Sequence, residues 1–251
     1  MSGAIYLAAS GAMIQQMRLE VLANNMANVD SVGFKEDQLV FSLMEAKQQP
    51  PENNLETPGI SQEISPYTPP FEQVTDFSSG PLMHTGNTLD FAINGDGFFS
   101  VRTGNGIEYT RKGNFILRED GVLTTMDGFP VLSDSGEIVL DGNEITVDGD
   151  GNIYVDGDGA GTFAIVDFPK KGALRKTGNN RFMNTDPDTI GTKPGKSTIN
   201  QGYVEKSNVN AIRAMTDMIE TLRVFETYKK VIQSADDATS KSINEVGRPV
   251  A

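Results

Sequence analysis

Residues 207–244 read SNVNAIRAMTDMIETLRVFETYKKVIQSADDATSKSIN, with neither proline nor glycine inside. Ile212, Met215, Ile219, Leu222, Phe225 and Ile232 fall at helical steps of three, four and seven, so the spacing predicts one long helix with an apolar stripe. Ser207 or Asn208 offers a short polar side chain that can cap its first unpaired N–H groups. Gly247 and Pro249 lie just past its end, where a helix stops. At 1.5 Å per residue such a helix is roughly 55 Å long. A helix beyond about 25 residues points to a coiled coil, a membrane span or a repeat. Arg213, Asp217, Glu220, Arg223 and Glu226 exclude the span. The stripe therefore needs a partner helix.

That partner is at the opposite end of the chain. Residues 3–28 read GAIYLAASGAMIQQMRLEVLANNMAN. Ile5, Ala12, Leu19 and Met26 sit seven apart, and Ala8, Gln15, Leu22 and Val29 form a second row. Two such rows make a coiled-coil seam, softened here by Gln15 and small residues. A seam this thin buries little apolar area, and closing it across the intervening chain carries a loop-entropy cost. The expectation is that the two ends order fully only on assembly. Asn24, Asn25 and Asn28 suit a helix end, where asparagine tolerates the left-handed conformation. Gly33 then breaks the helix and Phe34 offers an apolar anchor.

Between the ends the chain changes character twice. Residues 47–72 carry Pro50, Pro51, Pro58, Pro66, Pro69 and Pro70, which fix φ and favour an extended, semi-stiff course. From about residue 75 to 200, short apolar runs alternate with Asp96-Gly97, Asn105-Gly106, Asp120-Gly121, Asp127-Gly128, Asp141-Gly142 and Asp150-Gly151. These dipeptides adopt positive φ at low cost and are a strong hairpin signal. The fold class expected is α+β in several parts: N- and C-terminal helices form a coiled-coil-like α domain, and an all-β, hairpin-rich domain is inserted between them. The expected boundaries are 1–35 for the first helix, 36–74 for a Pro-rich strap, 75–200 for the β domain and 201–251 for the second helix.

Charge follows the same division. The chain carries a net charge of −13, all of it in residues 36–207, because residues 1–35 and 208–251 are each neutral. Neutral patterned ends suit packing, and an acidic middle suits water. Nucleic-acid binding needs clustered Lys and Arg, which the middle lacks. The 251 residues include no cysteine, so disulfides and thiolate metal sites are excluded. The N-terminus has no basic leader and no continuous apolar core, so it does not read as a secretory signal.

No constellation reads as an active site. His84 is the single histidine, and among turn residues it reads as a surface side chain. Asp148, Asp150, Asn152, Asp156 and Asp158 invite a calcium reading. Counting from Asp148, however, Ile153 and Gly159 stand where an EF-hand loop needs its glycine and its bidentate glutamate. The hairpin of 145–147 against 153–155 is the better reading. No catalytic residue, cofactor or metal is expected. A hydrolase using surface carboxylates and a secreted β-domain adhesin with dimerising helices are the competing classes.

The stretches AIYLAASGA (4–12) and LANNMANVDSVGFK (22–35) resemble the N-terminal signature of the flagellar axial proteins, the family of rod, hook and hook-associated subunits. GNTLDFAINGDGFFSV (86–101) with YTRKGNF (109–115) resembles the entry to the β domain of its rod and hook members. SNVNAIRAMTDMIETLRVFETYKKVIQSADD (207–237) is similar to the rod members. Val224-Phe225-Glu226, Asn208-Val209-Asn210 and Asp236-Asp237 bring it nearest the proximal-rod type, with the distal rod as the alternative. The resemblance covers both ends and the start of the β domain. It implies a structural subunit that polymerises with other rod subunits and with copies of itself into a helical tube crossing the periplasm. It also implies delivery by the flagellar type III export apparatus without signal cleavage, and neither nucleic-acid binding nor membrane insertion. The residues expected at the assembly interface are Ile5, Ala12, Leu19, Leu22, Asn24, Asn25, Met26, Asn28, Gly33, Phe34, Val209, Ile212, Met215, Ile219, Leu222, Phe225 and Ile232.

Overall fold

The computed structural model describes residues 2–41 and 71–246, with side chains for residues 5–40 and 71–241. Helix α1 spans Ser2–Ala27 and helix α2 spans Ala211–Val246, as the two patterned ends require. Strands β1 (Asp37–Phe41), β2 (Phe71–Thr75), β3 (Leu82–His84), β4 (Phe91–Asn94), β5 (Phe98–Thr103) and β6 (Gly106–Thr110) come first in chain order. They are followed by β7 (Phe115–Leu117), β8 (Leu123–Thr125), β9 (Leu132–Ser133), β10 (Gly136–Glu137), β11 (Ile145–Val147) and β12 (Asn152–Val155). The last are β13 (Asp158–Thr162), β14 (Ile165–Val166), β15 (Leu174–Gly178), β16 (Arg181–Asn184), β17 (Thr198–Gln201) and β18 (Tyr203–Glu205). The protein is thus α+β, with a β region of short antiparallel strands between two terminal helices.

The chain divides into two compact units. One comprises Met1–Asn24, Asp37–Val74 and Ile212–Ala251; the other comprises Asn25–Glu36 and Thr75–Ala211.

In the β unit the widest sheet runs β14-β5-β6-β16-β15. Strand β5 is buried on both faces, and its alternation feeds two cores. Phe99 and Val101 enter a large cluster with Phe91, Phe115, Leu123 and Phe163, while Phe98 enters a second with Phe168, Leu174 and Phe182. Glycines at positive φ turn the tight connections, Gly106 between β5 and β6 and Gly151 between β11 and β12, as their Asn-Gly and Asp-Gly dipeptides require. The hairpin of 145–147 with 153–155 forms in register, Ile145 opposite Val155. Asp148 serves that turn: its carboxylate accepts from the N–H groups of Asp150 and Asn152 and from the Asn152 amide.

Three expected boundaries change. Helix α1 stops at Ala27, and residues 25–36 pack with the β unit rather than with the helix. The cause is a buried ion cluster, in which Lys35 Nζ lies 2.7 Å and Arg111 Nη1 3.0 Å from the two carboxylate oxygens of Glu205. The strap 36–74 begins and ends in strands, since β1 and β2 pair with each other; its interior, residues 42–70, lies outside the described residues. Helix α2 begins four positions after Ser207. The Ser207 hydroxyl accepts the Val209 N–H, and Asn208 accepts the Glu36 N–H and donates to the Asp76 carbonyl, so both side chains are spent on the β unit.

Candidate assembly surface

Two faces of α2 differ in what covers them. The covered line is Ala214, Met218, Thr221, Phe225, Tyr228 and Ile232, a three-and-four spacing that repeats every seven residues, as a coiled-coil seam does. Ala214 and Thr221 are 3% and 2% exposed. About a third of a turn away stand Ile212, Met215, Ile219 and Leu222, at 79%, 50%, 55% and 45% exposure. One helix thus carries a covered seam, tightest at the small residues Ala214 and Thr221, and an open stripe of large apolar ones.

Helix α1 shows the same division. Ala8, Ala12 and Leu22 are buried, and Ile5, Gln15, Leu19 and Met26 are half-buried. These are the two rows read from the spacing. Tyr6, Leu7 and Met13 are 67%, 60% and 58% exposed. The seams of the two helices meet at Gly11, where an added Cβ would lie 2.6 Å from a ring carbon of Tyr228. Glycine there lets a tyrosine ring lie directly on the α1 backbone. In the structure both ends are helical, and the small residues Ala8, Gly11 and Ala12 permit the close approach of α1 to α2.

Beside this pair, Met17, Glu20, Val21 and Asn24 of α1 and Asp37, Leu39, Phe71 and Gln73 of the β1-β2 ribbon line an open groove. The Gln73 amide donates to Asp37 at 3.0 Å, and Phe71 is 42% exposed on the ribbon.

The expected interface residues separate accordingly. Ile212, Met215, Ile219 and Leu222 are open. Ile5, Ala12, Leu19, Leu22, Met26, Phe225 and Ile232 lie in the covered seams, and Asn24 faces the groove. Asn25 is buried, and Asn28 accepts from the Ser31 hydroxyl in the turn after α1. Gly33, Phe34 and Val209 are buried inside the β unit, so they are not surface available to a neighbour. Gly33 has φ +67°, and a Cβ on it would sit 2.5 Å from the Lys112 nitrogen. Phe34 is covered by Lys176, whose ammonium lies 4.3 Å from the ring centre. Sequence reasoning gave these two a role in assembly because it could not see that residues 25–36 belong to the β unit.

Electrostatics add no reactive group to this surface. Burial pushes the Lys35 ammonium below the ordinary lysine range against the pull of Glu205. On the exposed β7-β8 turn, a hydrogen bond from Arg118 holds the Asp120 carboxyl down at about 2. The His84 ring packs edge-on against Tyr203 at 4.8 Å, a cross-strand pair between β3 and β18. Among the described residues no group of three or more His, Cys, Asp and Glu is gathered as a metal site, and no helix is long and apolar enough to cross a membrane.

The chain thus carries a β unit inserted in sequence between two paired terminal helices, one of them with an open apolar stripe. Three family models match successive parts of the chain. They are the flagella basal body rod protein over residues 5–35, the flagellar hook protein FlgE/F/G D1 domain over 92–155, and the flagellar basal body rod FlgEFG protein C-terminal region over 200–245. The chain is 32% identical to the flagellar basal-body rod protein FlgG of Bacillus subtilis, covering 96% of this chain and 97% of that one. It is 32% identical to the rod protein FlgF of Rhizobium meliloti, covering 98% and 99%. The FlgF of Caulobacter vibrioides is 31% identical, covering 99% of each chain. The chain belongs to the flagellar basal-body rod proteins of the FlgF/FlgG family, a structural component of the rod.

Proposed function

We propose that this chain is a proximal-rod subunit that polymerises with other rod subunits and with copies of itself through its terminal helices. The observation that carries the reading is the stripe Ile212, Met215, Ile219 and Leu222, left exposed about a third of a turn from a seam that is already filled. Large apolar side chains aligned along one helix face are a surface built to be covered. A contact of this kind that does not close on itself generates a helical tube rather than a ring. Val224-Phe225-Glu226 and Asp236-Asp237 favour the proximal type. The equal identity of 32% to FlgG of Bacillus subtilis and to FlgF of Rhizobium meliloti keeps the distal type as the second reading. The role is structural, without catalysis or cofactor. Delivery runs through the flagellar type III export apparatus without a cleaved signal, to the periplasmic rod.

The test is a strain in which this chain replaces its native copy and carries Ile219→Asp. Loss of the chain from purified basal bodies, with normal cellular levels of the subunit, is the expected result. Unchanged incorporation would overturn the reading. Basal bodies isolated from a strain lacking this subunit separate the two assignments: a rod arrested within its proximal part supports the proximal type, and a completed proximal rod supports the distal type.

A further inference from the structure

Three stretches far apart in sequence meet at one buried carboxylate in the β unit. Lys35, Arg111 and Glu205 are each no more than 2% exposed. Glu205 Oε1 accepts from Lys35 Nζ at 2.7 Å and from the Gly80 N–H at 2.8 Å, and Oε2 accepts from Arg111 at 3.0 Å. Lys35 also donates to the Ser78 carbonyl at 2.7 Å, and Arg111 to the carbonyls of Ile93 and Gly95 at 3.3 and 2.7 Å. Backbone bonds repeat the connection. The Gly33 N–H donates to the Glu205 carbonyl at 2.8 Å and the Lys206 N–H to the Pro81 carbonyl at 3.0 Å. Asn208 closes the braid by joining Glu36 to residues 76 and 78.

The charge count makes these contacts interdependent. Two buried cations share one carboxylate, and the Nε of Arg111 is buried without a partner among the described residues. Asp76 also acts on Lys35, with its carboxylate held by the Ser78 N–H and hydroxyl, and Asp96 acts on both cations from the surface, where it pairs with Lys171. If residues 203–209 leave, Lys35 and Arg111 lose the one carboxylate that accepts hydrogen bonds from both, and a buried pair of like charges is left without its direct partner. If residues 32–36 leave, Glu205 loses the donor on Oε1 that also orders residues 78–80.

We infer that Lys35, Glu205 and Arg111 form an ion lock that makes docking of the chain leaving α1 and docking of the chain entering α2 conditional on each other. The β unit then has one closed state in which both crossings are fixed, and neither crossing is held alone. Glu205 is a positioning residue here, acting through the two segments it ties together.

The test is amide hydrogen exchange on the full-length chain carrying Lys35→Met. This variant keeps the side-chain length and leaves the Glu205–Arg111 pair in place. The expected result is exchange faster by roughly tenfold or more at residues 33–36 and also at 203–207, by local opening, with Phe99, Val101 and Thr110 in β5 and β6 as protected as before. A rise confined to residues 33–36 would overturn the lock, because the second crossing would then hold by itself. A uniform rise across β5 and β6 would overturn it too, by making the cluster an ordinary part of the core. Glu205→Gln supplies a second reading: both crossings should open to trypsin while the β5-β6 core resists, and intact crossings would contradict the proposal.

Discussion

Leu222→Asp separates the two faces of α2. Leu222 is 45% exposed in the single chain. Fully burying a leucine contributes about 1.5–3 kcal/mol, so roughly 1 kcal/mol is still to be gained when a neighbour covers it. Replacing it with aspartate forfeits that gain and adds the cost of desolvating an unpaired carboxylate, several kcal/mol. A combined loss of about 4 kcal/mol per contact weakens that contact roughly a thousandfold, since 1.4 kcal/mol is tenfold. In the free chain the same change forfeits only the packing of the part already covered, with some helix propensity, about 1–1.5 kcal/mol. Urea unfolding of the purified monomer followed by circular dichroism should therefore shift only modestly, while motility in soft agar and incorporation into basal bodies should be lost. A monomer destabilised by more than about 2 kcal/mol would mean that the face is intramolecular. A motile strain would mean that it is not a contact at all. Either outcome refutes the division into a filled seam and an open stripe.

Further expectations follow from single positions. Gly11→Leu drives a side chain into the Tyr228 ring, so the α1–α2 pair should lose about 1–3 kcal/mol, read as earlier loss of helical signal with the β unit intact. Gly33→Ala places a Cβ 2.5 Å from the Lys112 nitrogen at a φ of +67°; the β unit should lose about 1–3 kcal/mol, and an unchanged urea midpoint would contradict the close approach. Asp120 titrates at about 2 because Arg118 binds its ionised form. Its folded value lies below the unfolded one, so the stability it contributes is present above the ordinary aspartate range and is lost as pH falls through about 2. Carbon-detected NMR titration should place the midpoint there and return it to the ordinary range in Arg118→Ala, whereas an unchanged midpoint would remove the pairing.

The periodicity of α1 was legible because coiled-coil rows repeat every seven residues whatever fills them, and Ile5, Ala12, Leu19 and Met26 do lie on the covered side. For α2 the same reasoning selected a line of which Phe225 and Ile232 lie in the covered seam, while Ile212, Met215, Ile219 and Leu222 stand open. Apolar character marks a face to be covered without saying by which chain. The intramolecular seam uses Ala214 and Thr221, whose small size permits close approach but attracts no notice in a hydrophobicity pattern. The hairpins were legible from their Asp-Gly and Asn-Gly turns. The ion cluster was not, because Arg111 and Lys35 stand 94 and 170 residues from Glu205, and charged side chains are by default solvent-facing. The available signal was local: Lys35 follows the Gly33-Phe34 break, Arg111 sits in YTRKGNF, and Glu205 immediately precedes the Lys206-Ser207-Asn208 run.

The absence of cysteine from the chain makes one measurement especially direct. Cysteine placed at Ile219, in a strain whose native copy is replaced, and loaded with a thiol-reactive photo-crosslinker should form a cross-link to a neighbouring subunit on illumination of isolated basal bodies, and cysteine at Thr221 should not. An Ile219→Cys chain that remains uncross-linked in intact rods, while Thr221→Cys cross-links between subunits, would contradict the claim that the open stripe of α2 is the surface on which the rod is built.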